Sequence, residues 1–243
     1  MKASELFKEL ENKVPLNLAL SSDNVGFMNS NLNPKNIDVE NVLLMMDYLT
    51  PEILANYGLD YNDYDLLITH HPPNCEVIIP TYVIHSNWDI IPGGVGDTLA
   101  DTLSMQKLEV FDEETNIGCI CKPISGNIDM SSLEDLVKER LDLDYIKVIH
   151  NPGKDIVETV AIVPGFGLNP KFIKLASDKN ADVFISGDLT QPGAILAKNL
   201  GINIIDVTHH VAELPGLYRL ADLIRESGVL LKVLNTQIPW ELK

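Results

Sequence analysis

The sequence predicts an α/β protein with largely parallel sheets flanked by helices, and three observations predict it. Through the second half of the chain, apolar runs of strand length alternate with stretches of 8 to 15 residues that have helical periodicity. Several of those runs end in polar clusters, where ligands collect in open α/β sheets. At 243 residues, 45% hydrophobic and 22% charged, the chain is long enough and apolar enough to bury a full core.

The elements follow in order. Residues 3–14 set Leu6, Phe7, Leu10 and Val14 on one helical face. Turn formers occupy 21–27, and the continuous apolar run 42–46 reads as a buried strand with Asp47 at its end. Thr50-Pro51-Glu52 supplies an N-cap, a first-turn proline and an acid suited to the helix dipole, so a helix should run to about Gly58. The strand 66–69 leads into His70-His71 and is stopped by Pro72-Pro73. A brief strand at 82–84 runs into His85-Ser86-Asn87-Trp88-Asp89. Glycines 93, 94 and 96 then precede a helix carrying Leu99, Leu103 and Leu108.

Strands are expected at 116–121 and 145–150, with a helix between them opened by a capping box at Ser131-Ser132-Leu133-Glu134. Thereafter strands at 158–163, 182–185, 202–207 and 229–234 alternate with helices at 170–180, 193–200 and 212–226, the pattern of right-handed βαβ crossovers. A first domain is expected over residues 1–125, completed by 220–243, and a second over 126–219. The first carries the His-His-Pro and His-Ser-Asn-Trp-Asp motifs, and the second the His-x-x-x-Glu motif.

A formal net charge of −17 opposes a broad electrostatic grip on nucleic acid, which rests on Lys and Arg replacing counterions. The charged stretch 2–9 is unlike a signal peptide and no apolar run has the length of a membrane span, so a cytoplasmic location without membrane contact is expected. The three cysteines, Cys75, Cys119 and Cys121, form no complete zinc motif and are expected as reduced, mostly buried thiols.

Five of the six histidines fall in three places, each just after an expected strand: His70-His71, His85 and His209-His210. Adjacent residues on extended backbone point to opposite sides, so His70 and His71 are expected to serve different ions. His209 and Glu213 are one helical turn apart on one face. With Asp89 they make three imidazoles and two carboxylates, a donor set for two divalent ions such as zinc, manganese or iron. Each fragment alone has an ordinary explanation: a surface pair for His209 and Glu213, a turn former for Asp89, a packed core residue for His85. Their joint occurrence favours a dinuclear site.

A competing constellation is Gly165-Phe166-Gly167 followed by Asp188, part of a dinucleotide-binding fingerprint, although Pro170 takes the place of its third glycine. The chain has no G-x-S-x-G elbow, P-loop or HExxH, which removes the serine hydrolases, P-loop NTPases and zincins.

Taken in order, Asp23-Asn24-Val25-Gly26-Phe27, Thr69-His70-His71-Pro72, His85-Ser86-Asn87-Trp88-Asp89, Gly165-Phe166-Gly167, Ile185-Ser186-Gly187-Asp188 and His209-His210-Val211-Ala212-Glu213 resemble the GTP cyclohydrolase I type 2, or NIF-three-like, family. The resemblance covers nearly the whole chain. It implies two similar interlocked α/β domains, a ring-shaped homohexamer, and two divalent metals held by His70, His71, Asp89, His209 and Glu213, with Glu213 bridging. Ser22, Asp188 and Thr208 depart from the family's usual tryptophan, glutamate and glycine, which bears on the substrate pocket more than on the ligands.

The expected activity is that of a metal-dependent hydrolase acting on a nucleotide-like or phosphoester small molecule through a hydroxide held between the ions. Asp23, Asn24 and His85 are the candidates for substrate contact or proton transfer. The alternative is a metal-binding regulatory or assembly protein, with protein or nucleic-acid partners and little catalysis.

Overall fold

The computed structural model describes residues 1–240. It divides into two compact units, one of Met1–Ile91 with Leu217–Thr236 and one of Pro92–Gly216 with residues 237–240. The boundary expected near residue 125 therefore falls after Ile91, because residues 92–125 build the second sheet. The return to the first unit begins at Leu217 and ends at Thr236.

The first unit contains α1 (Ala3–Lys13), β1 (Gly26–Phe27), β2 (Asn41–Met45), α2 (Pro51–Ala55), β3 (Leu66–Thr69), β4 (Thr81–Val83) and α3 (Ser86–Ile90). Its sheet has the order β1-β4-β3-β2-β13, the last strand being Leu230–Leu234 from late in the chain. All pairs are parallel except β1 on β4. The central strands are almost wholly apolar, Val42–Met45 in β2 and Leu66–Ile68 in β3, because both faces are covered. On one face α1 buries Leu6, Phe7 and Leu10, and Phe7 stacks on Tyr82 at 4.3 Å between ring centroids. Burying such a side chain contributes roughly 1.5–3 kcal/mol. On the other, Leu43, Met45 and Leu67 pack with Leu54 of α2 and with Tyr61. The register sets Met45 opposite Thr69, so Asp47 and His71 leave adjacent strands at the same level.

The second unit holds α4 (Val95–Thr102), β5 (Met105–Asp112), β6 (Ile117–Pro123), β7 (Ile128–Asp129), α5 (Met130–Leu141), β8 (Lys147–Ile149), β9 (Ile156–Val157), β10 (Val160–Ile162), α6 (Pro170–Asp178), β11 (Val183–Ser186), α7 (Gln191–Leu200) and β12 (Asn203–Asp206). Its six-stranded sheet, β5-β6-β10-β11-β12-β8, is mixed: β10-β11 and β11-β12 are parallel and the other three pairs antiparallel. Val160, Ile162, Val183, Ile185 and Ile205 share one core with Leu99 of α4 and Leu133 and Val137 of α5. The alternate residues include Phe184, which lies against Phe111 at 5.2 Å, and Phe111 in turn meets Phe172 of α6 at 5.6 Å.

Helix α8 (His209–Arg225) carries Pro215, and the division between the units falls one residue later. Among the described residues no helix is long and apolar enough to cross a membrane.

Two local expectations change, and the one on the cysteines holds for two of the three. Leu108 lies in β5 and is exposed, because α4 ends at Thr102 and Ser104, in the left-handed region with φ 57°, turns the chain into the strand. The cap of α5 is Asp129, which accepts from Ser132 N and from the Ser131 and Ser132 hydroxyls, so the helix starts before Ser131. Cys75 is exposed, while Cys119 and Cys121 are buried free thiols.

Candidate metal centre

In the first unit the chain leaves β3 after Thr69 and bends at His70 and His71. The two backbone N–H groups still donate to Met45 O (3.1 Å) and Met46 O (2.9 Å), which fixes where the side chains start. The bend breaks strand alternation and brings the two rings to 5.0 Å between centroids, so the expected opposite-sided placement does not hold. The His85 ring stands edge-on to both, at 5.2 and 5.3 Å. One ligand atom from each of His70, His71 and His85 lies within 4.8 Å of those from the other two. His85 is thus part of the cluster and not a packed core residue.

The partners of these rings fix their protons. His70 Nδ1 lies 2.8 Å from the Ile84 carbonyl, which can only accept, so Nδ1 carries a proton and Nε2 is the nitrogen left to ligate. His71 Nδ1 donates to Asp47 Oδ1 at 2.8 Å, and His85 Nδ1 to both oxygens of Asp23 at 2.9 Å. Burial pushes the Asp23 carboxyl up, but hydrogen bonds from the Ser86 hydroxyl and His85, the His85 charge and the Ser86 N–H outweigh it. The net shift is down. Asp23 therefore stays an anion able to orient the ring.

Asp89 sits on α3, four residues beyond His85. Its Oδ1 is buried, accepts no hydrogen bond among the described residues, and lies 3.4 Å from His70 Nε2. A carboxylate oxygen and an imidazole nitrogen this close, with no hydrogen bond between them, make a good pair of ligands around a shared cation. The donor set of imidazole nitrogen and carboxylate oxygen fits a divalent transition metal.

The second unit builds its cluster from three loops. Thr208, with φ 71°, turns the chain out of β12 so that His209 opens α8, three residues earlier than periodicity places the helix. Asp188, also in the left-handed region at φ 58°, follows β11 and accepts the His209 Nδ1 proton at 2.8 Å. Non-glycine residues rarely adopt this region, and a β-branched one least of all. Asp206, 2% exposed, holds both turns: its carboxylate accepts from Thr208 N (2.9 Å) and Leu189 N (3.3 Å) and pairs with Lys147 Nζ (3.0 Å). His209 Nε2 lies 3.2 Å from Glu213 Oε1, one helical turn on, and Glu213 is only 4% exposed.

The glycines of the competing constellation have a different use here. A Cβ on Gly165 would stand 2.4 Å from Glu213 Oε1 and 3.2 Å from His209 Nε2. One on Gly187 would stand 2.4 Å from His209 N. They permit close approach of loops to the His209 and Glu213 pair, and Asp188 is spent on His209, so the fingerprint does not mark a dinucleotide site. Of the remaining histidines, His210 is buried and His150 pairs with Glu134 at 2.8 Å.

Within the first unit, then, His70, His71, His85, Asp89 and Asp23 come together. Asn24 adjoins them, its N–H donating to Asp23 Oδ1 at 2.8 Å. Within the second unit, His209 and Glu213 do so. Residue pattern alone does not mark Asp47 and Asp188 as orienting groups. The available signal was positional: each acid ends a strand beside the strand that precedes a histidine.

The family model described as Duf34/NIF3 (NGG1p interacting factor 3) matches residues 75–239. A protein of Methanothermobacter thermautotrophicus named GTP cyclohydrolase 1 type 2 homolog is 38% identical over 243 residues, covering 99% of this chain and 95% of the relative. A Helicobacter pylori protein named GTP cyclohydrolase 1 type 2 is 23% identical, covering 98% of each. Among solved structures, reduced HcgD from Methanocaldococcus jannaschii is similar with a TM-score of 0.82 at 24% identity, covering 97% of this chain and 98% of that one. The Bacillus cereus protein related to NIF3 is similar with a TM-score of 0.82 at 19% identity, covering 100% and 99%. The two structures share the fold, and the sequence matches carry the resemblance read from the motifs: the chain belongs to the Duf34/NIF3 family.

Proposed function

We propose that the chain is a divalent-metal-dependent hydrolase with two ions per chain, held by His70, His71, Asp89, His209 and Glu213, acting on a nucleotide-like substrate or another phosphoester. The observation that carries this reading is the common state of His70, His71 and His209. Each gives its Nδ1 proton to a backbone carbonyl or a carboxylate, which is how metal-ligating imidazoles are oriented with Nε2 as the donor.

Divalent ions in such a site lower the pKa of water and neutralise charge developing on oxygen. The chain's own residues do the rest. Asp23 holds the His85 ring by Nδ1, so its Nε2 can take up a proton and return it to a leaving group. Asn24 offers an exposed amide next to that pair for substrate contact. The names carried by relatives refer to GTP cyclohydrolase, which favours a purine nucleotide among the substrates to be tried.

The test is metal content per chain of tag-free protein, beside a His70→Ala, Glu213→Ala double variant, followed by a nucleotide screen. About two ions in the parent and near none in the variant, with metal-dependent turnover, is the expected result. A parent that takes up no zinc, manganese or iron overturns it. Full loading with no turnover favours the second reading, a metal-binding regulatory or assembly protein, to which the family description's words "NGG1p interacting factor" lend support. A homohexamer, implied by the family resemblance, and a cytoplasmic location belong to the same proposal and are read by native mass measurement and fractionation.

A further inference from the structure

We infer that the cavity beside the His70, His71 and His85 cluster is a subsite for an uncharged, hydrogen-bonding heterocycle, the part of the substrate that does not react. The inference rests on the hydrolase reading and chooses, between its two substrate classes, the one bearing a nucleobase-like ring, for which it names the subsite.

The cavity measures about 540 Å³, the size of a small-molecule site. Two stretches contribute its walls, Asn24 with Met28–Leu32 and Pro73 with Cys75–Ile78. Both begin at the cluster. Asn24 directly follows Asp23, which holds His85, and Pro73 is two residues past His71, a backbone span of at most about 7 Å. Both stretches thus continue directly from residues of the cluster, and the proposed ligand would extend from the cavity toward the histidines.

The lining selects the chemistry. Asn24, Asn31 and Ser30 offer amides and a hydroxyl that both donate and accept, and they are exposed. Met28, Leu32 and Ile78 supply apolar surface for a flat ring. The one charged lining residue is Glu76, and no lysine or arginine contributes. A phosphate group needs cations or a cradle of N–H donors, and Glu76 opposes it. A neutral ring with donor and acceptor edges needs neither. The walls are tied together in advance: Asn29 Oδ1 accepts from Thr81 N (2.8 Å), its Nδ2 donates to Ile79 O (3.3 Å), and Met28 N donates to Thr81 O (2.9 Å).

Cys75 provides the readout. It is an exposed thiol in the cavity wall, whereas Cys119 and Cys121 are fully buried, so iodoacetamide should modify Cys75 alone on a short exposure. The experiment measures the rate of Cys75 alkylation in the full chain, metal-free and metal-loaded, with adenosine, guanosine, uridine or inorganic phosphate at millimolar concentration. At least one nucleoside should slow alkylation about fivefold or more in both forms, phosphate should not, and Asn31→Ala should raise the protecting concentration about fivefold, the loss of one hydrogen bond. No protection by any nucleoside, or equal protection by phosphate, overturns the subsite. Protection in a protein that shows no turnover keeps the subsite and sinks the hydrolase, while metal-dependent turnover of a nucleotide without protection of Cys75 does the reverse.

Discussion

Asp188 accepts the Nδ1 proton of His209 at 2.8 Å, and it does so from a left-handed backbone conformation that an aspartate seldom adopts. The same arrangement, an acid beyond one strand fixing a histidine beyond its neighbour, recurs in the first unit with Asp47 and His71. Removing either acid releases its ring to the wrong tautomer and orientation. Asp188→Ala and Asp47→Ala should each lower metal affinity by about 10–100-fold with little change in far-UV circular dichroism. A chelator-competition titration reads the affinity, and unchanged values would remove both acids from the site.

Gly165→Ala should be costly for two separable reasons. The residue has φ 75°, and its new Cβ would meet Glu213 Oε1 at 2.4 Å. Gly153 has the same φ and open space around it, so Gly153→Ala carries only the conformational penalty of about 1 kcal/mol. Urea midpoints should fall for both variants and metal uptake only for Gly165→Ala. Equal metal uptake by the two variants would show that Glu213 moves aside at no cost to the site.

The Asp206 and Lys147 pair should be lopsided. Asp206 is buried and Lys147 is 63% exposed at its side chain. Lys147→Ala removes a solvated partner and should cost at most about 1 kcal/mol. Asp206→Ala leaves the N–H groups of Leu189 and Thr208 without their acceptor, for about 2–4 kcal/mol. Denaturant unfolding of the two variants decides it, and comparable losses would mean that the charge pair, not the turn clamp, holds the loops.

Helix α5 should keep its cap in moderately acid solution. Hydrogen bonds from the Ser131 and Ser132 hydroxyls and the Ser132 N–H hold the Asp129 carboxyl down at about 2, below its ordinary 3.8. A depressed folded-state pKa means that the stabilisation is complete above the unfolded value and is lost as pH falls through the folded one. The stability gap between parent and Asp129→Ala should thus be constant above about pH 4 and close between pH 4 and 2. A gap that persists at pH 2 would mean that the protonated side chain caps equally well.

Much of this was legible in the sequence, for physical reasons that can be named. The buried strands β2, β3, β10 and β11 are mostly continuous apolar runs, and the Thr50-Pro51 and Pro170 starts announce their helices. The His70, His209 and Glu213 positions follow from strand ends and from one helical turn. The second sheet's antiparallel members were not legible as such, because strand order depends on long-range pairing: β6 beside β10 and β8 beside β12 leave no local mark. The Leu108 expectation failed because a helical spacing of leucines ran across Ser104, whose left-handed turn no periodicity reveals. The closeness of His70, His71 and His85 was hidden for the same reason, since it depends on a bend after β3 and on where α3 begins.

The late strand β13 pairs with β2 across nearly the whole length of the chain. A ribosome delivers β2, β3 and β4 early, but the neighbour that covers the outer edge of β2 only after some 230 residues have been made. Residues 92–216, by contrast, carry every strand of their own six-stranded sheet in one stretch. Vectorial synthesis therefore lets the later half reach its native form while the earlier half still has an open β-edge, a natural template for mispairing. Nascent chains stalled before Leu230 should be the aggregation-prone species, and chaperone demand should drop once that last strand clears the exit tunnel.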